Sequence, residues 1–132
     1  MVVSILVAAV VMFAVGAVWF TVLFGKTWSR LMNFTPEAMA KAKEAGMTSK
    51  MVMMFVLNVV SSSVLYYLMP GLLAESVGLF VCTVLIVWLG FTLPSVVNTY
   101  LWEGKSLKLV AINAGGSLAA FLAGSVVLYW LM

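Results

Sequence analysis

With 132 residues, 65% of them apolar and only 8% charged, and a mean hydropathy of +1.21, the chain lies far outside the range of soluble domains. It has room for four membrane spans of about 20 residues each and one sizeable loop. The absence of His and Asp, with four Glu and a single Cys, excludes most metal sites, a Ser-His-Asp triad and any disulfide within one chain, and the net charge of +3 reports membrane topology rather than a nucleic-acid partner.

The first predicted span, residues 3–24, carries no charge. It lacks a basic leading region and its apolar stretch is too long for a cleavable signal, so it reads as a retained helix. Trp19 and Phe20 lie toward its far end, and Lys26, Trp28 and Arg30 follow as interface anchors. A loop over 25–50 contains a short predicted helix, with Thr35 as N-cap, Pro36 at the first helical position, Glu37 in the first turn and Gly46 as the stop. Leu31, Met32, Phe34 and Met39 suit a membrane surface, with Lys41, Lys43 and Lys50 in water or near anionic headgroups; the plain alternative is a solvated connector.

The second span, 51–69, places Asn58, Ser61 and Ser62 on one helical face, continued by Tyr66. Such a stripe faces protein or water, or supplies hydrogen bonds between helices. Pro70 and Gly71, followed by Glu75, predict a tight connection into the third span, 77–101. Cys82 in that span, without an activating base, reads as packing. The fourth span covers 109–131. All seven basic residues fall after the first and third spans, which predicts cytoplasmic loops and both termini outside a cell membrane, a bacterial inner membrane.

Residues 88–116 concentrate the unusual chemistry. Pro94 lacks an N–H and its ring meets the carbonyl of Gly90, so a kink over Gly90 to Pro94 is expected. Ser95 and Asn98 follow on one face with Phe91 and Trp102. A short turn containing Trp102, Glu103, Gly104 and Lys105 leads into the fourth span; Glu103 reads as a clamp on Lys26 or Arg30, as a proton acceptor, or as an exposed turn carboxylate. At about 1.5 Å per residue, antiparallel packing puts Asn98 and Asn113 at similar depth, roughly 5 to 8 Å below the cytoplasmic surface, and Asn58 near 10 Å. The three amides form a candidate polar cluster with Ser61, Ser62 and Ser95, able to bind a small solute, order waters or bond one another. Gly116, Ala120 and Gly124 make a small-residue stripe suited to close helix packing, within the chain or with another copy.

The segments GAVWFTVLFGKTW, WLGF with Pro94 and Asn98, LWEGKS and INAGG resemble a family of small bacterial and fungal membrane proteins catalogued as domain of unknown function number seventeen sixty-one. The resemblance covers nearly the whole chain. It implies a four-span membrane protein without assigned biochemistry, and singles out Gly16, Trp19, Phe24, Gly25, Lys26 and Trp28 in the first half. In the second half it singles out Gly90, Pro94, Asn98, Trp102, Glu103, Gly104, Lys105 and Asn113. The chain departs from the pattern at Phe20 and Thr21, where a Tyr and then a small residue before a proline are expected.

The fold class expected is all-α, a polytopic antiparallel four-helix bundle. Its expected role is a non-enzymatic, oligomeric structural or accessory membrane component, with the lipid bilayer and a second copy or another membrane protein as partners, and without cofactor or metal. The alternative is a binding protein, channel or transporter with a cytoplasm-facing polar pocket. Glu103 and Cys82 have no evident partner groups, which disfavours an enzyme.

Overall fold

The computed structural model describes the chain except residues 33–35, 45, 72–74 and 132 and the side chains of 38, 39, 42, 43, 47 and 69–71. The expected roles of Phe34, Thr35, Met39 and Lys43 lie outside the described residues. Everything assigned is helical: α1 Val2–Val18, α2 Gly25–Leu31, α3 Pro36–Glu44, α4 Met47–Gly71, α5 Val77–Val87, α6 Leu93–Glu103 and α7 Leu107–Leu131. Among the described residues, four helices are long and apolar enough to cross a membrane: Val2–Leu23, Thr48–Leu68, Val77–Glu103 and Leu107–Leu131. The protein is therefore all-α and polytopic. One expectation is corrected: α4 carries on through Pro70 to Gly71, where the sequence suggests a turn.

Two of the spans are not uniform α-helix. Trp19–Leu23 and Trp88–Thr92 each form a π-helical turn, closed by Phe24 N–H on the Trp19 carbonyl and by Leu93 N–H on the Trp88 carbonyl. The second turn ends two residues before Pro94, which sits in the first turn of α6, where a missing N–H costs least. The expected kink at Gly90 to Pro94 is thus a shift of hydrogen-bond register. The first span makes the same shift without a proline. There the Thr21 hydroxyl donates to the Ala17 carbonyl, a back-bond of the kind that bends helices.

The spans do not pack equally. The first and fourth lie antiparallel, with the Ser4 hydroxyl donating to the Leu131 carbonyl (3.3 Å) at one end and the Trp19 indole to the Ile112 carbonyl (2.9 Å) toward the other. In α1 the buried residues Ser4, Ile5, Ala8, Ala9, Met12 and Gly16 recur every three or four positions and form one face. Lipid is as apolar as leucine, so this pairing rests on close contact rather than on removal of apolar surface from water. Small residues supply that contact. A Cβ on Gly124 would stand 2.6 Å from the Met12 side chain, and one on Gly116 would stand 2.8 Å from Trp19 and 2.9 Å from Phe20.

The second span leans on the first. The Ser62 hydroxyl donates to the Ile5 carbonyl at 3.0 Å, and Phe55 meets Phe13 edge-on with ring centroids 6.1 Å apart. The third span leans on the fourth, through Trp88 and Ser117 (2.8 Å). Near the two termini all four spans meet in a cluster of Ala8, Leu65, Phe80, Val84 and Leu128. Elsewhere the outer spans are open: 33% of the most apolar window is buried in the first and fourth spans, against 6% in the second and 11% in the third.

The hairpin between α6 and α7 closes at Gly104, whose φ of +67° is the left-handed conformation that glycine adopts without a Cβ penalty. Lys105 N–H reaches back to the Thr99 carbonyl, and the Ser106 hydroxyl accepts from Leu109 N–H (3.1 Å) at the start of α7.

Candidate functional site: a cleft between the second and third spans

Three tryptophans fix the first half of the fourth span. Trp19 donates to the Ile112 carbonyl, Trp28 to the Asn113 side-chain oxygen (3.3 Å) and Trp88 to the Ser117 hydroxyl (2.8 Å). An indole carries one donor on a large apolar body, so inside a membrane its direction is set by where it finds an acceptor. Gly115 and Gly116 leave the room: a Cβ on either would stand 2.8 Å from the Trp19 ring. Phe24 lies against Trp19 (4.8 Å between centroids) and Phe20 lies edge-on to Trp28 (5.9 Å). Three of the motif segments, GAVWFTVLFGKTW, WLGF and INAGG, therefore converge on one structural clasp, which holds the first and third spans to the fourth.

The clasp fixes the inner pair and leaves the outer spans apart, since α4 packs on α1 and α6 on α7. Between the second and third spans lies a cavity of about 220 Å³. One wall is Val60, Ser61, Val64, Leu65 and Leu68 of α4. The other is Phe80, Val84, Val87, Trp88 and Thr92, with Phe121 of α7 also lining the cavity. Leu65, Phe80 and Val84 also belong to the four-span cluster, which closes the end near the termini. Val60 and Val64 are half exposed, 54% and 52%, so the cleft has a side open to the surroundings of the bundle. Among the described residues, no charged one lines it.

The expected polar cluster is not assembled. Asn113 is half-buried and accepts from Trp28; Asn58 is half-buried on α4; Asn98 is exposed on α6. No hydrogen bond among the described residues joins the three. Depth, which the sequence estimates, does not decide which way a side chain turns, and α4 and α6 flank different inner helices. Ser62 is fully buried as the tie to the first span, while the exposed Ser95 donates to the Phe91 carbonyl (2.9 Å). Of the six expected site residues only Ser61 lines the cavity. Gly116 and Gly124 face the first span of the same chain, and Ala120 between them is half-buried. Lys26, Arg30 and Glu103 are exposed, Lys105 is half-buried, and Glu103 makes no ion pair with Lys26 or Arg30. Trp102 is 86% exposed at the tip of its hairpin.

Sequence reasoning missed Trp88 and Thr92 as walls of the cleft. A usable signal was present: Trp88 stands well inside a span, away from the interface where tryptophan usually sits, and so requires an internal acceptor and a packed surface. A family model described as a protein of unknown function (DUF1761) matches residues 3–129 of the chain. Neither a curated protein nor a solved structure gives a significant match.

Proposed function

We propose that this chain, which belongs to the DUF1761 family of unknown function, is a non-enzymatic accessory component of the cell membrane that holds a small membrane-soluble guest between its second and third spans. The observation that carries this is the 220 Å³ cavity in a molecule whose inner pair of spans leaves no room for one added methyl at Gly116 or Gly124. Small-molecule sites are typically concave, apolar and bounded by a few polar groups, and bundles place them between helices. A non-enzymatic role is supported by the separation of the reactive groups. Cys82 is an exposed free thiol on α5, Glu103 is exposed in the hairpin turn, and no three His, Cys, Asp or Glu gather among the described residues.

In this proposal the basic loops after the first and third spans face the cytoplasm and both termini lie outside. An oligomer needs a face other than the fourth-span stripe, because Trp19, Phe20 and Met12 already cover it. The test is photolabelling of the protein in bilayer nanodiscs with a one-ring phenyl diazirine, followed by mapping of the labelled residues. Label concentrated on Val64, Val87 and Trp88 and saturating with dose supports the guest site. Label spread evenly over lipid-facing residues such as Val10 and Ile86 removes it.

A further inference from the structure

Hydroxyls inside a membrane helix ordinarily bond to a carbonyl of the preceding turn. This chain follows that habit closely. Ser63, Thr83, Ser95, Thr99 and Ser125 each donate to a backbone carbonyl three or four residues back, at 2.7 to 3.0 Å. Ser61 and Thr92 do not: neither hydroxyl bonds to any described residue, and both line the cleft, one from each span. An oxygen without a partner in a hydrocarbon setting is unfavourable, so whatever occupies the cleft is selected for an ability to pair with them.

We infer that the guest is a neutral, single-ring aromatic alcohol of the phenol class, an assignment that rests on the cleft being a guest site. Size sets the ring: a cavity of about 150 Å³ lined by aliphatic and aromatic side chains admits benzene, and this one, at about 220 Å³, admits a ring with short substituents. The walls favour an aromatic guest, since Trp88 and Phe121 line them. Ser61 and Thr92 set the polar group. Each hydroxyl can donate and accept, so a phenol, which has one donor and an acceptor oxygen, donates to one and accepts from the other. The uncharged lining and lipid-side opening exclude an ion, and a plain acyl chain leaves both hydroxyls unpaired.

The experiment titrates 4-propylphenol and propylbenzene, which differ by one oxygen, into full-length protein in nanodiscs, with empty nanodiscs as the blank. Three variants accompany the wild type: Ser61→Ala with Thr92→Val, and two independent plugs of the cleft at half-exposed positions, Val64→Trp and Val60→Trp. Each variant is scored once its helical circular dichroism and elution volume match the parent. The wild type is expected to bind the phenol saturably and about tenfold more tightly than propylbenzene, the ratio that one good hydrogen bond supplies. The double variant is expected to bring the two affinities within about twofold by losing that bond, and the plugs to abolish both. Equal affinities in the wild type, or a preference that survives in the double variant, overturn the phenol assignment and leave the cleft as a guest site. Absence of saturable binding, or binding that both plugs leave unchanged, overturns the cleft as a guest site and the phenol with it.

Discussion

The first and fourth spans and the second and third spans are built from the same apolar alphabet and do opposite things with it. The inner pair brings small residues under large ones, Gly116 under Trp19 and Phe20 and Gly124 under Met12, and leaves no room for a Cβ at either glycine. The outer pair places valines and leucines against each other across a gap, with Ser61 and Thr92 facing into it. Hydropathy does not distinguish the two, because in a bilayer a lipid-facing leucine and a packed one are equally apolar. The difference lies in shape: glycine where a ring must enter, and valine where nothing enters from the chain itself.

Substitutions sharpen that contrast. The largest effect belongs to Gly116→Leu, which drives a side chain into two rings and is expected to lower stability in detergent by about 3 kcal/mol or more, read from thermal unfolding. Tolerance of this change with an unaltered unfolding midpoint breaks the inner-pair account. Gly104→Ala forces a Cβ into the left-handed region and is expected to cost about 1 to 2 kcal/mol in the same measurement. Next come two neighbouring serines. Ser62→Ala loses the buried tie to Ile5 and is expected to cost about 0.6 kcal/mol, and up to about 1.7. Ser61→Ala is expected to leave stability unchanged, since its hydroxyl bonds no described residue. Equal costs at the two positions blur the division between core and cleft. At Gly90 the sign reverses, since an added Cβ meets nothing within 4 Å; Gly90→Ala is expected to be neutral or stabilising by up to about 1 kcal/mol in the same measurement.

The helical architecture and its four spans were legible in the sequence because length and apolarity are one-dimensional properties that a bilayer imposes. The disturbance before Pro94 was legible too, since a missing N–H acts locally. Its counterpart at Trp19–Leu23 was not, because the features that accompany that turn, a threonine back-bond and Phe24 packed beside Trp19, lack a proline's signature. The candidate site was read least well. Asn58, Asn98 and Asn113 stand at comparable estimated depths, yet they sit on helices that flank different neighbours, and only Asn113 lies among the contacts that Trp19, Trp28 and Trp88 make along Ile112 to Ser117. That fit is a property of three segments together. Amphipathic periodicity, which marks the inward face of a soluble helix, is missing where both faces are apolar.

The most direct measurement of the contrast between the pairs is the distance distribution between nitroxide labels in nanodiscs, in a Cys82→Ser background. One pair of labels at Leu57 and Ile86, off the lining of the cleft, joins the second and third spans, and a second at Val10 and Val126 reports on the inner helices; all four residues are exposed. Loose lateral packing permits a spread of separations that close packing does not. A broad distribution across the cleft that narrows when 4-propylphenol is added, beside a narrow and unresponsive one for the inner pair, is the predicted result. Two equally narrow distributions, both indifferent to the phenol, contradict it.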